Sequence, residues 1–192
     1  MHTDYHIIFP ENRFADQAAE RGIVRRRERV HAAVQLGAWL LLCYAASAFG
    51  ALATRDASDF YNQLSLPWWA PSAGVFGPVW TVLYALMAVS AWMIWRGRHD
   101  SALDEINVMP ALQLFGAQLA VNALWSWVFF AWNLGALSVV TILVLLALVV
   151  ATTIKFYRIN QTAGTLLFPY IAWLAFATCL AFSAWRRNPN LL

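Results

Sequence analysis

The sequence predicts an all-α integral membrane protein built as a bundle of five transmembrane helices. Of its 192 residues, 61% are hydrophobic and 12% are charged, whereas a soluble domain carries about 25% charged residues. The charges are also segregated, because Asp, Glu, Lys and Arg are missing from four runs, 30–54, 60–95, 106–154 and 159–185. A spanning helix needs about 20 apolar residues. The runs are continuously apolar and do not alternate, which favours a helical bundle over a barrel.

The four runs hold five helices, because the third run is long enough for two. It breaks at Trp132-Asn133-Leu134-Gly135, where Asn and Gly favour a turn. Pro110 suits the first turn of the third span, and Pro169, inside the fifth span, should kink it. The fourth span is almost wholly aliphatic and should face lipid. The expected spans lie near 31–52, 73–95, 107–131, 136–157 and 165–185.

The rest of the chain divides around these spans. We expect a basic, disordered N-terminal tail over 1–29, a membrane domain over 30–188 and a short C-terminal tail over 189–192. Residues 1–29 lack the apolar core of a signal peptide. In the predicted topology, ten of the 13 Lys and Arg residues lie on the same side of the membrane as the N-terminus. The positive-inside rule then predicts a multi-pass protein of a bacterial cell membrane, with the N-terminus cytoplasmic and the C-terminus outside.

Eleven tryptophans are the most distinctive feature of the composition. Membrane proteins usually keep indole rings at the membrane interface, where the N–H stays hydrated. Six of the eleven fit that pattern: Trp68, Trp69, Trp92, Trp95, Trp132 and Trp185. Trp80, Trp125 and Trp173 do not fit it, since at about 1.5 Å per residue each lies roughly 10 Å or more inside its span.

Each of these deep tryptophans belongs to a helical face with i, i+3/i+4, i+7 spacing. The faces are Phe76, Trp80, Tyr84 and Met87; Gln118, Asn122, Trp125 and Phe129; and Trp173, Phe176, Ala177 and Leu180. Packing within the bundle would account for any one face. The faces should turn inward, because Gln118 and Asn122 are costly against lipid. Three convergent faces in the outer half of the bundle favour instead an aromatic-lined cavity that opens toward the outside. A cavity of this kind suits a flat, rigid, apolar ligand.

The segment from Pro67 to Tyr84 reads PWWAPSAGVFGPVWTVLY. It resembles the signature of the tryptophan-rich sensory protein/translocator protein (TspO/MBR) family, W-x-P-P followed by G/F-x-x-W-x-x-L-Y. The resemblance continues through residues 118–125, 129–130, 169–178 and 185–186, and it covers about 60–188. It implies a five-helix bundle, commonly a homodimer, whose cavity binds porphyrins beneath a lid formed by the first outer loop.

The resemblance also assigns roles to residues. It implies that Trp80 and Trp173 bind porphyrin and take part in its light-dependent breakdown, and that Tyr84, Asn122, Trp125 and Ala177 line the cavity. Together with the helical spacing, it gives a candidate ligand-binding set: Trp69, Phe76, Trp80, Tyr84, Asn122, Trp125, Phe129, Trp173, Phe176, Ala177 and Leu180. We expect the porphyrin propionates to contact the only outer cations, Arg55, Arg186 and Arg187. Gly116 and Ala120 form a small-xxx-small pair that suits a dimer interface.

The expected function is a membrane receptor or carrier for porphyrin-type tetrapyrroles, with a sensory or transport role. Protoporphyrin or haem would be a ligand, and no obligate cofactor, metal site or nucleic-acid partner is expected. The four histidines, His2, His6, His31 and His99, lie away from the predicted cavity, so metal-free porphyrin should bind about as well as haem. Two alternatives stay open. One is a light- and oxygen-dependent porphyrin-degrading enzyme with Trp80 or Trp173 as redox relay, and the other is a regulatory membrane scaffold whose basic tail contacts a partner.

Overall fold

The computed structural model describes residues 11–54, 57–99 and 102–192. The described chain is helical, which confirms the predicted fold class. The helices are α1 (Glu11–Leu52), α2 (Ala57–Gln63), α3 (Phe76–Arg96), α4 (Ala102–Ser126), α5 (Gly135–Ile159), α6 (Gln161–Thr165) and α7 (Phe168–Arg187). Residues Ala73–Val75 and Gly97–His99 form 3-10 turns, and Trp127–Ala131 continues α4 as a π-helical turn.

Five helical stretches in the described chain are long and apolar enough to cross a membrane. They are Glu20–Leu52, Ala73–Arg96, Asn107–Ala131, Gly135–Ile159 and Gln161–Arg187. They coincide with the five predicted spans to within a few residues, except that the first begins earlier. The chain is therefore a multi-pass integral membrane protein.

Two helices begin earlier than their apolar runs. α1 begins at Glu11, so residues 11–29, for which we expected disorder, are helical in this structure. α4 begins at Ala102, and Pro110 therefore lies inside the helix and not in its first turn as predicted. In both cases the extension is rich in Ala, Glu, Leu or Arg, which favour helix even without an apolar face. The division into a tail, a membrane domain and a C-terminal tail stays a prediction.

The described residues belong to two compact units, 11–37 and 38–192. In the first unit the described residues all belong to α1, and most of the side chains between residues 20 and 37 are exposed. Four charged residues, Glu20, Arg21, Arg25 and Glu28, follow one face of that helix. Such a mixture of acidic and basic side chains is typical of a solvated helical face.

The core of the second unit lies among α3, α4, α5 and α7. α5 packs against α4, α6 and α7, and Ile142, Leu145 and Val149 on it are almost fully buried. The prediction that this span faces lipid was therefore wrong for one side of the helix, although Val140 and Leu143 on the other side are exposed. Aliphatic side chains suit lipid and core equally, so composition does not distinguish the two.

The fifth span is divided between two helices. α6 ends at Thr165, and α7 begins at Phe168 with Pro169 in its first turn. Proline is well tolerated there because the first backbone N–H groups of a helix have no partner inside it. The predicted kink within one continuous helix was therefore wrong. Gly164 allows α6 to approach α5, since a Cβ at this position would lie 2.6 Å from Cα of Tyr157.

The break between α4 and α5 falls where the sequence predicted it. Asn133 has a φ of 52°, in the left-handed region that Asn tolerates better than most residues. Before it, the π-helical turn closes with a hydrogen bond of 2.9 Å from the Trp132 N–H to the Trp127 carbonyl. A π turn inserts an extra residue into a helix. Trp125 and Ser126 before its start and Phe130 after it all line the cavity described below.

Candidate functional site: an aromatic cavity in the bundle

One cavity of about 480 Å³ lies inside the 38–192 unit, at the end of the bundle where α1 ends and α3 begins. Ligand cavities in proteins usually measure roughly 300–1,000 Å³. The helices α1, α2, α3, α4 and α7 all contribute to its wall, and α5 does not. The lining residues are Ser47, Gly50, Ala51, Thr54, Ser58, Tyr61, Ala73, Phe76, Gly77, Trp80, Thr81, Tyr84, Asn122, Trp125, Ser126, Phe130, Trp173 and Ala177.

The three deep tryptophans meet at this cavity. Trp80 on α3, Trp125 on α4 and Trp173 on α7 all lie on its lining. Each also packs against a neighbouring aromatic ring. Trp80 is 5.6 Å from Tyr84 between ring centroids, and Trp173 is 5.7 Å from Phe76. The helical spacing of the sequence therefore correctly predicted that these three side chains lie on one cavity.

Seven of the eleven predicted ligand-binding residues line the cavity: Phe76, Trp80, Tyr84, Asn122, Trp125, Trp173 and Ala177. The other four do not line it, although two of them pack against lining residues. Phe129 stacks on Trp125 with centroids 5.4 Å apart, and Phe176 lies 5.4 Å from Trp173.

The remaining two of those four lie further back. Trp69 contacts Phe176 edge-on at 5.7 Å, and Leu180 is buried on α7. None of these four residues is part of the cavity lining, and their role in ligand binding stays a prediction.

The α1 side of the cavity was not predicted. Ser47, Gly50, Ala51 and Thr54 lie along one face of α1 and line the cavity. They repeat at i, i+3/i+4, i+7, so helical spacing contained the signal. Small side chains with this spacing are common in membrane helices, so the pattern alone does not predict a cavity wall. Here they make room: a Cβ at Gly50 would lie 3.1 Å from the Ser126 hydroxyl.

The base of the cavity is a chain of buried polar side chains that joins three helices. The Tyr84 hydroxyl donates to Asn122 Oδ1 at 2.5 Å, and Asn122 Nδ2 donates to the Tyr170 hydroxyl at 2.7 Å. The Tyr170 hydroxyl in turn donates to Gln118 Oε1 at 3.2 Å, and Gln118 Nε2 lies 3.8 Å from Met87 Sδ. Gln118 and Asn122 thus find partners inside the bundle, as expected for amides within a membrane span.

The indole N–H groups around the cavity differ in their partners. Trp125 Nε1 donates to the Ser138 carbonyl at 3.1 Å, which fixes its ring against α5. Trp173 Nε1 is buried and has no hydrogen-bond partner among the described residues. A buried donor left without an acceptor costs about 1–3 kcal/mol.

The lining residues are all uncharged. Arg186 and Arg187 are exposed in the last turn of α7 and do not line the cavity. Arg55 lies outside the described residues. The cavity itself therefore suits an uncharged ring system, and acidic groups of a ligand would have to stay at its mouth, because an unpaired charge is costly to bury.

The predicted dimer pair lies on the outside of the 38–192 unit. Gly116 and Ala120 on α4 are both exposed, and a Cβ at Gly116 would meet no atom within 4 Å. Two of the tryptophans predicted to lie at the membrane surface are also exposed, Trp68 at 94% and Trp132 at 52%. Exposed residues of this kind can contact lipid or a second copy of the chain. The homodimer stays a prediction.

Comparison with known proteins places the chain in a family. The model of the TspO/MBR family matches residues 39–186. The chain is 36% identical to the translocator protein of Homo sapiens over 129 residues, which are 67% of this chain and 75% of that protein. It is also 36% identical to the tryptophan-rich sensory protein of Cereibacter sphaeroides over 152 residues, or 79% and 90% of the two chains. Protein CrtK of Rhodobacter capsulatus is 31% identical over 152 residues, 79% of this chain and 91% of that one.

The family match covers the lining of the cavity from Ser47 to Ala177. It leaves out residues 1–38, which include the basic tail of the sequence analysis. By its sequence and its five apolar spans, this chain belongs to the TspO/MBR family of integral membrane proteins.

Proposed function

We propose that the protein binds a porphyrin-type tetrapyrrole in the aromatic cavity and acts as a membrane receptor or carrier for it. The observation that carries this proposal is that Trp80, Trp125 and Trp173 border one cavity of about 480 Å³. Indole rings stack with a flat aromatic ligand at about 0.5–1.5 kcal/mol per pair beyond the burial of apolar area. The names of the relatives, a sensory protein and a translocator protein, agree with a sensory or transport role.

The polarity of the cavity supports the same ligand class. Its deep part combines aromatic rings with the Tyr84–Asn122 pair. Hydroxyl side chains gather on α1 and α2, with Thr54 and Ser58 on the lining. We place the macrocycle among the indoles and its propionates at that hydroxyl-bearing end, within reach of water.

The orientation of the cavity is part of this proposal. In the 38–192 unit, Arg96, Lys155 and Arg158 lie at the end opposite the cavity, where α3 and α5 finish. The positive-inside rule makes that end cytoplasmic. The cavity then opens toward the outer side of a bacterial cell membrane.

A titration panel tests this proposal. Purified protein in lipid nanodiscs is titrated in darkness with protoporphyrin, haem, a linear bilin and a sterol, and the quenching of tryptophan fluorescence is followed. We expect saturable binding of the two macrocycles at one site per chain and weaker binding of the bilin and the sterol. If the sterol saturates the site and protoporphyrin does not compete with it, the proposed ligand class is wrong.

Light-dependent breakdown of porphyrin is a second candidate function, and one arrangement favours it. Trp80 lies on the cavity and packs against two tyrosines, at 5.6 Å from Tyr84 and 6.0 Å from Tyr170. In light, Trp80 would give one electron to the excited porphyrin, which passes it to dioxygen to form superoxide. The Trp80 radical would then take an electron back from the porphyrin, so that the porphyrin is oxidised, dioxygen is reduced and Trp80 is restored. Under this hypothesis, illuminated protein consumes porphyrin and oxygen together, and Trp80→Phe abolishes consumption while dark binding persists. Equal consumption by both proteins would exclude Trp80 as the relay.

A further inference from the structure

Asn188 occupies a junction at the C-terminal end of α7. Its side chain is buried, with 7% of the residue exposed. The side-chain oxygen Oδ1 accepts a hydrogen bond from the backbone N–H of Ser65 at 2.8 Å. The side-chain Nδ2 donates to the Ser65 carbonyl at 3.3 Å and to the Ala184 carbonyl at 2.7 Å. One side chain thus bonds both backbone groups of a residue 123 positions away and caps its own helix.

The backbone of Asn188 is equally engaged. Its N–H donates to the Ala184 carbonyl at 3.1 Å, and its carbonyl accepts from the N–H groups of Leu191 and Leu192. The three hydrogen bonds of the side chain and these backbone bonds use nearly the full capacity of the residue. Helix α7, the C-terminal residues and the segment around Ser65 therefore meet at this one amide.

Ser65 belongs to the segment that covers the cavity. We define the lid as residues 57–72, which comprise α2 and the loop that follows it. Ser58 and Tyr61 of the lid line the cavity, and the Tyr61 ring packs edge-on against Phe76 at 5.4 Å. A hydrogen bond of 3.0 Å from the Tyr61 hydroxyl to the Pro71 carbonyl joins the two ends of the lid. This hydrogen bond links α2 to the end of the loop that follows it.

The lid is held to the bundle at the same place by apolar contact. Leu64, next to Ser65, is buried in a cluster with Phe129, Ala181 and Ala184. Non-directional contacts of this kind permit sliding, whereas the paired hydrogen bonds to Ser65 fix one position. At Ser65 itself the side chain is exposed, and only the backbone makes the hydrogen bonds to Asn188.

We propose that Asn188 is a positioning residue that latches the lid closed, so that release of its bonds to Ser65 controls ligand exchange at the cavity. This inference rests on the proposed function for its ligand, but the latch itself concerns access to the cavity. Breaking two backbone bonds to a buried amide would raise the population of the open lid by about tenfold. Entry and exit of a ligand would then both become about tenfold faster, and the equilibrium affinity would change much less.

The access of a small reagent to the cavity is measured first, in the absence of porphyrin. A single reporter thiol is introduced by Ala177→Cys on the cavity lining, in a Cys43→Ala, Cys179→Ala background that removes both native thiols. The rate of labelling by a water-soluble maleimide then reports opening of the cavity. Asn188→Ala is expected to label about tenfold faster than the parent, with faster deuterium exchange of the Ser65 amide.

Two matched controls separate the latch from general loosening. Ser65→Ala removes an exposed hydroxyl and keeps both backbone groups that Asn188 binds. Asn160→Ala removes another asparagine cap, whose Oδ1 accepts from the Ala163 N–H at 3.0 Å at the start of α6. Both are expected to label at the parent rate. If Asn188→Ala does not fold, Ser65→Pro tests the latch from the lid side, because it removes the N–H donor and leaves α7 intact.

The outcomes decide between the two proposals. Equal labelling in all variants, or equal acceleration in the controls, overturns the latch. Faster labelling in Asn188→Ala together with faster association and dissociation of protoporphyrin in stopped-flow supports it. Faster labelling with unchanged porphyrin rates means that ligand enters between the helices, which overturns control by the lid. If the parent protein binds no protoporphyrin while labelling still accelerates, the proposed ligand fails and the latch stands.

Discussion

Tyr84 on α3 and Asn122 on α4 are joined by a hydrogen bond of 2.5 Å at the base of the cavity. Both residues line the cavity, and Asn122 Nδ2 also donates a hydrogen bond of 2.7 Å to the hydroxyl of Tyr170 on α7. The same pair therefore belongs to the wall of the candidate site and to the polar chain that ties three helices together. Under the proposed function, a change at this pair would affect both the stability of the bundle and the binding of the ligand.

This hydrogen bond gives a prediction for a double-mutant cycle. Tyr84→Phe leaves Asn122 Oδ1 without this donor, and interhelical hydrogen bonds of this type are worth about 0.6–1.7 kcal/mol in membrane proteins. We expect Tyr84→Phe and Asn122→Ala each to lower the free energy of unfolding, with a coupling energy of about 1 kcal/mol between them. Reversible unfolding in mixed micelles provides the measurement.

Tyr157→Phe is the matched control for that cycle, because Tyr157 is exposed on α5. It should leave the free energy of unfolding unchanged within about 0.5 kcal/mol. Additive effects of Tyr84→Phe and Asn122→Ala would show that the bond contributes nothing to the bundle.

The lid should loosen in alkali. Burial raises the pKa of Tyr61 above its usual value of 10.0, and its hydroxyl donates to the Pro71 carbonyl. A raised folded-state pKa means that the contribution of Tyr61 to stability is complete below about pH 10 and is lost as the pH rises through the raised value. Deuterium exchange of lid amides should therefore accelerate above about pH 10, beyond the intrinsic base-catalysed rate.

Tyr61→Phe supplies the comparison. This variant lacks the phenol that ionises, so its lid should exchange faster than that of the wild type below about pH 10 and show no further step above it. An identical alkaline step in both proteins would assign the titration to another group.

Haem and metal-free protoporphyrin should bind with similar affinity. The lining contains no histidine, cysteine or methionine among the described residues, and the hydroxyls of Tyr84 and Tyr61 are engaged in hydrogen bonds. Without an axial ligand, iron adds little to binding. Dissociation constants measured in darkness should agree within about threefold, or about 0.7 kcal/mol. A haem spectrum with two strong-field nitrogen ligands would contradict this expectation.

A dimer through α4 should depend on small side chains. Gly116 and Ala120 are exposed one turn apart, and small residues permit the close approach that membrane helices need. Gly116→Leu should reduce crosslinked dimer in bilayers several-fold, whereas Ala147→Leu on the exposed side of α5 should leave it unchanged. Equal crosslinking of the two variants would place the interface elsewhere.

Much of the fold and part of the site could be predicted from the sequence. The five spans follow from charge-free runs, and the convergence of Trp80, Trp125 and Trp173 follows from helical spacing. The division of the fifth span at Thr165 was missed, because Pro169 fits a kink and a new helix start equally well. The buried face of α5 was missed, because Ile142 and Leu145 suit lipid and core alike.

The parts that depend on tertiary packing could not be derived in this way. Small residues such as Gly50 and Ala51 on α1 make space without leaving a chemical signature. The bonds of Asn188 to Ser65 join backbone groups 123 residues apart, and neither residue stands out in its local sequence. Spacing identifies which side chains share a helical face, and only the packed bundle identifies which faces meet.

The central claim is that one macrocycle binds among the three deep indoles. Its most direct test is the affinity of protoporphyrin, measured in darkness by the shift of its Soret absorption, for the double variant Trp80→Leu and Trp173→Leu. Absorption is preferable here because the substitutions remove fluorophores. We expect the affinity to fall by at least about 100-fold, while Trp68→Leu, at a ring that is 94% exposed, binds as the wild type does. Wild-type affinity in a folded double variant would contradict the account.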